Sequence, residues 1–489
     1  MHRAQLHMLA DDVLYLPIRE LQANLRKRSF SPVELAKSYL QRSEIIGKNL
    51  NAYVSLTPEL ALEQAHAAER EILAGHHRGP LHGIPYALKD LVAVKGYKTT
   101  WGARPYGDQS FDYNATVVDK LNHAGAVLIG KAAMIELAGG LGYTDGKASL
   151  TGPCRNPWKT DCWTCGSSSG SGAVVAAGLA PWALGSDTRG SIICPSSWCG
   201  VSGMRPSFGR VSRFGAMAIA WSMDKLGPMA RTADDCGLIL SVIAGHDAND
   251  HGSLPPSEAR FRYPAPELEP RKPLRVGRLT NVWNKIDPEV QAAADEGARV
   301  LERLGARVSD AQMPEGPFEE AAELTILIEA ASAFQTLIRS GDCAKLSDPL
   351  GQINGYASDA FSASDCLQIQ RVRTHLQRRV DELFDGFDVL TTAGQSDVAQ
   401  PLEEPAPKTP PERRAPEPIE RLAPDGVSSL CGLPALAVPC GFSSAGLPIA
   451  IQFIGRAAND HAVVAAARLF QSHTEWHKKR PNLSALPNT

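Results

Sequence analysis

The chain has 489 residues, a net charge of −3, 43% hydrophobic and 21% charged residues. That length can bury a large core. The near-neutral charge lacks both the basic excess of a nucleic-acid binder and the polybasic block of a membrane-surface protein. The opening MHRAQLHMLADDVLYLP carries no apolar h-region before a small-residue cleavage site, and the longest weakly polar run, 172–185, is too short for a bilayer and is broken by Pro181. The expectation is a cytoplasmic protein with no nucleic-acid and no membrane partner.

Residues 17–28 and 31–46 carry apolar side chains at helical spacing. Ser31 reads as the N-cap of the second helix, with Pro32 at N1 and Glu34 at N3. Residues 59–74 read as a third helix, rich in alanine and glutamate. From Gly83 onward, short β-type runs (126–130, 274–277, 388–391) alternate with helical stretches (114–123, 288–304), which predicts an α/β fold around one sheet. Residues 317–385 read as mostly helical, and 401–418, with seven prolines, as an extended loop that serves either as a surface excursion or as a lid. Strands at 436–439 and 449–454 and a helix at 460–474 follow. The parts expected within one domain, 1–489, are an N-terminal helical segment (1–75), a catalytic core (83–240), a helical and proline-rich excursion (317–425) and a C-terminal unit (426–489).

The chemistry concentrates between Cys165 and Pro195. Two glycine-rich turns hold six serines there: Ser167, Ser168, Ser169 and Ser171 in the first, Ser186 and Ser191 in the second. Upstream, Lys89 interrupts an apolar strand-like run from Ile84. A serine hydroxyl attacks a carbonyl only when a base takes its proton, and here a lysine stands where histidine is usual. The text GSSSG at 166–170 fits a nucleophile elbow around Ser168, but the preceding 161–165 is a poor strand, which argues against that elbow. No phosphate-binding G-x4-G-K-[ST] loop is present. Cys162 and Cys165 form a C-x2-C pair, with Cys154, Cys194 and Cys199 nearby, but no second pair of metal-ligand spacing exists. These cysteines read as small buried residues in a reducing compartment, with no metal.

The stretches CGSSSGS, GAVVAAGLAPWALGS, DTRGSIICPS and CGVSGMRPSFGRVS resemble the core of the amidase signature family, which reads GGSSGGS, an alanine-rich helix, DTGGSIRxPA and CGxxGLKPTxGRVS. PLHGIPYALKDLVAVKGYKTTWG, DKLGPMARTADDCGLIL, LCGLPALAVPCGF and GLPIAIQFIGR extend the resemblance over nearly the whole chain. It implies a single large α/β domain whose central mixed β-sheet is covered by helices on both faces. It also implies Ser191 as nucleophile, Ser167 as a relay preceded by a cis peptide, and Lys89 as base, with Ser168 and Asp187 in support. The backbone N–H groups of Thr188, Arg189, Gly190 and Ser191 would form the oxyanion hole. A lysine at its ordinary pKa is only about 0.1% neutral near pH 7.4, so this assignment requires burial to lower it. No cofactor is implied.

The activity implied is amide hydrolysis through an acyl-enzyme. The favoured substrate is a neutral, partly apolar small molecule, an amide, aryl amide or carbamate (urethane), with esterase side activity, and a homodimer is the candidate assembly. One alternative is the amidase subunit of a glutamine-dependent amidotransferase; another, of a different class, is a catalytically inactive binding protein. Departures from the family pattern add expectations. Arg189 and Cys165 replace glycines, as does Ser169, and Ile193 replaces the arginine expected to pair with Asp187, so Arg189 or Arg205 should take over that pairing. Met134, Ile135, Leu137, Trp163, Trp198 and Trp221 are readable either as pocket walls or as core.

Overall fold

The computed structural model describes residues 8–143, 146–265, 273–402 and 423–484. The N-terminal helices are α1 (Ile18–Lys27), α2 (Pro32–Arg42) and α3 (Pro58–Leu73). Ser31 caps α2 as its sequence predicts: its Oγ accepts from the Glu34 N–H at 3.1 Å, and Glu34 Oε2 accepts from the Ser31 N–H at 2.7 Å. The strands are β1 (Tyr53–Leu56), β2 (Pro85–Lys89), β3 (Val127–Ala132), β4 (Arg155–Asn156), β5 (Lys159–Trp163), β6 (Trp182–Asp187), β7 (Ser202–Arg205), β8 (Lys225–Ala230), β9 (Arg275–Leu279), β10 (Arg307–Ala311), β11 (Val389–Ala393), β12 (Ala435–Phe442) and β13 (Pro448–Gly455).

Eleven of these strands form one sheet in the order β1-β3-β2-β6-β8-β7-β12-β13-β11-β9-β10. The sheet is mixed: β2 runs parallel to both β3 and β6, β9 parallel to β10 and β11, and the remaining pairs are antiparallel. Helices flank it on both sides, as the resemblance implies. Every residue of β2, β6, β8 and β13 is buried, which is why, apart from Lys89, Asp187, Lys225 and Gln452, their sequences are small or apolar rather than alternating.

The segment 161–165, a poor strand by sequence, does enter a strand, β5, but this pairs with β4 in a separate two-stranded sheet and bridges at Cys162 to Pro401. The strand that precedes Ser168 is therefore outside the main sheet, unlike that of a nucleophile elbow. The helical reading of 317–385 holds, with helices Phe318–Ala333, Gln335–Ser340 and Ala363–Asp381. Of the proline-rich stretch 401–418, residues 403–418 lie outside the described residues, and the lid reading with them. Among the described residues, no helix is long and apolar enough to cross a membrane.

The sheet order positions the site. Because β2 and β6 are parallel neighbours, with Leu88 opposite Leu184, their C-terminal ends emerge side by side. Lys89 ends β2, and Ser186 and Asp187 end β6. After α4 (Thr116–His123), two short helices carry the turns: α5 (Ser169–Ala176) follows Ser168, and α6 (Ile193–Cys199) follows Ser191. The small side chains of α5 let it lie against the sheet. At Gly170 an added Cβ would come within 2.3 Å of the Ala52 carbonyl oxygen and 2.4 Å of the Ala133 nitrogen.

Candidate active site

Lys89 is fully buried. Its Nζ lies 2.7 Å from Ser167 Oγ, 3.0 Å from Ser168 Oγ and 2.8 Å from Ser186 Oγ. Among the described residues no carboxylate pairs with it. Burial pulls its pKa down to about 7, against the opposing attraction of Asp187 and Asp224. A large share of Lys89 is therefore neutral near neutral pH, and a neutral amine offers a lone pair to one of the three hydroxyls.

The hydroxyl directions narrow which one. Ser168 Oγ donates to the Ser186 carbonyl at 3.1 Å and accepts from the Ser186 N–H at 3.2 Å. Its proton is committed, so toward Lys89 it only accepts. Ser167 and Ser186 remain able to donate to the lysine lone pair. The Gly166–Ser167 peptide is cis, as the resemblance implies. Ser186 is the member that sequence reasoning missed. It reaches Lys89 only because β6 lies beside β2, and strand order is not written in local sequence.

Asp187 organises the second turn. Its Oδ1 accepts from the Gly190 N–H at 2.8 Å, and its Oδ2 from the Ile192 N–H at 2.8 Å. Burial pushes its carboxyl up, but Arg205, Lys225 and these amides outweigh that and hold it below the usual carboxylate range. Of the two arginines expected to replace the missing partner at Ile193, Arg205 does so, with Nη1 3.4 Å from Asp187 Oδ1. Arg205 also donates to Ser429 at 2.9 Å and to Ser428. Arg189 turns away: its guanidinium lies 2.8 Å from Glu319 and 3.0 Å from Glu323. Nor is its backbone in the left-handed region; that burden falls on Gly190, at φ 90°, and on Cys165, at φ 62°.

The Gly190 N–H, expected in an oxyanion hole, is spent on Asp187 because the carboxylate tightens the turn from below. Among the described residues, no acceptor takes the N–H of Thr188, Arg189 or Ser191. Those three amides stay available to a ligand oxygen. Thr188 is itself pinned, its Oγ1 donating to Asp224 Oδ1 at 2.7 Å.

Ser191 opens into a cavity of about 780 Å³ whose wall includes Thr188, Arg189, Trp198, Glu323, Leu324 and Asp425. A second cavity of about 520 Å³, bordered by Ser186, Trp221, Asp224 and Lys225, shares Thr188 and Ile219 with the first. Trp198 and Trp221 are thus pocket walls, whereas Trp163 packs edge-on against Trp198. Met134, Ile135 and Leu137 are buried and border neither cavity, which settles them as core.

The cysteines depart from the sequence reading. Cys165 and Cys194 form a disulfide, with Cα atoms 5.9 Å apart. Cys165 therefore does not act with Cys162 as a C-x2-C pair, and neither Cys165 nor Cys194 is a reduced thiol. Cys154, Cys162 and Cys199 are free and buried. The signal available beforehand was a cysteine standing in place of glycine at 165.

This arrangement of a buried lysine under two serine turns at one end of a mixed sheet defines an amidase-type site. A protein-family model described as Amidase matches residues 34–464, and the chain belongs to that amidase signature family of enzymes. Its curated relatives include one subunit of the glutamyl-tRNA(Gln) amidotransferase of Moorella thermoacetica, 36% identical, and its counterpart from Geobacter metallireducens, 35% identical, each covering 96% of this chain and 99% of the relative. Among solved structures, the peptide amidase from Stenotrophomonas maltophilia superposes with a TM-score of 0.82 at 28% identity, over 96% of this chain and 99% of the other. The same glutamyl-tRNA(Gln) amidotransferase component from Thermotoga maritima does so with a TM-score of 0.76 at 27% identity, over 96% of each. A structure described as a vestigial protein complex revealing the origins of an s-triazine catabolic enzyme reaches 0.84 at 28% identity, over 94% of this chain and 98% of that one.

Proposed function

We propose that the chain cleaves a C–N bond of a carboxamide-type substrate through an acyl-enzyme on Ser191. The observation that carries this is the buried Lys89, held among the described residues only by serine hydroxyls and 2.7 Å from Ser167. Ser191 Oγ attacks the carbonyl carbon, and its proton passes through Ser167 to Lys89. The carbonyl oxygen takes negative charge opposite the amides of Thr188, Arg189 and Ser191. The proton then returns through Ser167 to the leaving nitrogen as the C–N bond breaks, leaving an ester on Ser191. Water attacks that ester by the same route, releases the acid and restores Ser191. Ser168 and Ser186 hold the lysine, and Asp187 holds the turn.

Two assemblies would use this chemistry. In a glutamine-dependent amidotransferase, the acyl group is glutamyl, the leaving group is ammonia, and partner subunits receive it. The named full-length relatives support this reading more strongly than a free hydrolase, and we place it first. One observation favours the second reading, a stand-alone hydrolase of a partly apolar amide or carbamate. Trp198, Ile219, Leu324, Ile326, Leu327 and Leu350 make much of the larger cavity apolar, and its volume of about 780 Å³ exceeds what a glutamine side chain needs.

The test is product release by the purified chain, alone and with co-expressed partner subunits, from glutamine and from matched anilides, carbamates and esters. Ammonia from glutamine, rising when partners are present, supports the first reading. Turnover of an anilide or carbamate by the chain alone, with glutamine untouched, overturns it in favour of the second. An unreactive Ser191 would leave only a binding protein.

A further inference from the structure

The Cys165–Cys194 disulfide spans the two turns of the site. Cys165 precedes Gly166 and Ser167, and Cys194 lies in the first turn of α6, just after Ser191. Both residues border the cavity into which Ser191 opens, and both keep a little exposed surface, 6% and 8%. A small reductant entering that cavity can meet the bridge. The other bonds between the turns run mostly through Ser168: its N–H donates to the Ser191 carbonyl at 3.3 Å, its Oγ donates to the Ser186 carbonyl at 3.1 Å and accepts from the Ser186 N–H at 3.2 Å, and Cys199 Sγ makes a weak 3.8 Å contact with the Thr164 carbonyl.

Cys165 also sits at φ 62°, a conformation that glycine adopts freely and other residues do not. Burial raises the thiol of nearby Cys162, which disfavours the thiolate needed to exchange into the bridge.

We propose that Cys165 and Cys194 are positioning residues whose disulfide fixes Ser167 against Ser191, so that acyl transfer is reversibly slowed when a dithiol reduces it. The proposal rests on the assignment of Ser191 and Ser167 above. In the step, the dithiol gives up two electrons and two protons and closes to its own disulfide. The Cys165–Cys194 bond breaks and each sulfur leaves as a thiol. Because small displacements of reacting groups cost large factors in rate, the looser turns transfer acyl groups more slowly while the fold persists.

The experiment follows the second-order rate at which a fluorophosphonate labels Ser191 in the full chain, before and after treatment with dithiothreitol. Thiols are counted, and folding is monitored by circular dichroism. The expected result is two additional thiols, an unchanged fold and labelling slowed about tenfold or more, with the rate restored on reoxidation. A Cys165→Gly/Cys194→Ala variant should label at the slow rate and ignore the reductant, and Cys162→Ser should behave as wild type. An unchanged labelling rate after the two thiols appear overturns the proposal, as does a native protein in which both cysteines are already free. Absence of labelling in either redox state overturns instead the assignment of Ser191 beneath it.

Discussion

Lys89 Nζ and Ser167 Oγ lie 2.7 Å apart, in a fully buried pocket where, among the described residues, the only other partners of the ammonium are the hydroxyls of Ser168 and Ser186. A lysine balanced by a carboxylate would stay charged. One surrounded by neutral oxygens and cut off from water gives up its proton near neutrality.

Replacing that base should stop the chemistry without dismantling the fold. Lys89→Met keeps most of the volume and removes a group that is costly to bury. The rate should fall by about 10²–10⁴-fold, the usual contribution of a general base, while circular dichroism and the thermal midpoint stay near wild type. Full activity in this variant would contradict the relay.

The pH dependence follows from the same group. Its pKa is depressed to about 7, so protonated, inactive Lys89 dominates below that pH and the neutral base above it. kcat/KM should therefore rise with pH through about 7. Burial also lowers buried Lys225 to about 7. A Lys225→Met variant that keeps the rise assigns it to Lys89; loss of the rise would assign it to Lys225.

Ser186→Ala removes an acceptor that favours the protonated lysine. The midpoint of the acid limb should move down by about one to two units, since a hydrogen bond to a charged group contributes about 1.5–3 kcal/mol. A pH–rate profile that differs from wild type only in height would contradict a contact between Ser186 and the base.

Arg205→Met strands a buried carboxylate. Asp187 loses its guanidinium partner in a site where both side chains are fully buried. Removing one member of such a pair costs about 3–5 kcal/mol, which urea unfolding at neutral pH would read directly. Arg189→Gly differs, because its side chain borders the cavity while its pairing lies with Glu319 and Glu323, away from Asp187. KM should change and kcat should stay near wild type; steady-state kinetics on one substrate separate the two.

How far the sequence could be read depended on whether a feature is local. The capping box at Ser31 and Glu34 needs only three residues of spacing, and it is present as expected. Lys89, Ser167 and Ser191 were marked by the text around them. The remaining features depend on strands or loops meeting across the fold. Ser186 joins the lysine because β6 neighbours β2, and nothing in the second turn announces that order. Arg189, two residues from Asp187 in sequence, reads as no worse a partner than Arg205, but the turn directs it to Glu319 on the helix Phe318–Ala333. Cys162 and Cys165 are close in sequence and suggested a pair, yet Cys165 bonds to Cys194 across the site. Position in the turn places the Gly190 amide in the oxyanion hole, and only the placement of the Asp187 carboxylate shows it to be occupied.

In the proposed reaction Ser191 is the residue that becomes acylated. Treating the protein with a fluorophosphonate and mapping the adduct by peptide mass spectrometry tests it most directly. The expected result is a single adduct on the peptide containing Ser191, absent from Ser191→Ala and strongly slowed in Lys89→Met. An adduct on another serine, or equal labelling in the Ser191→Ala variant, would contradict it.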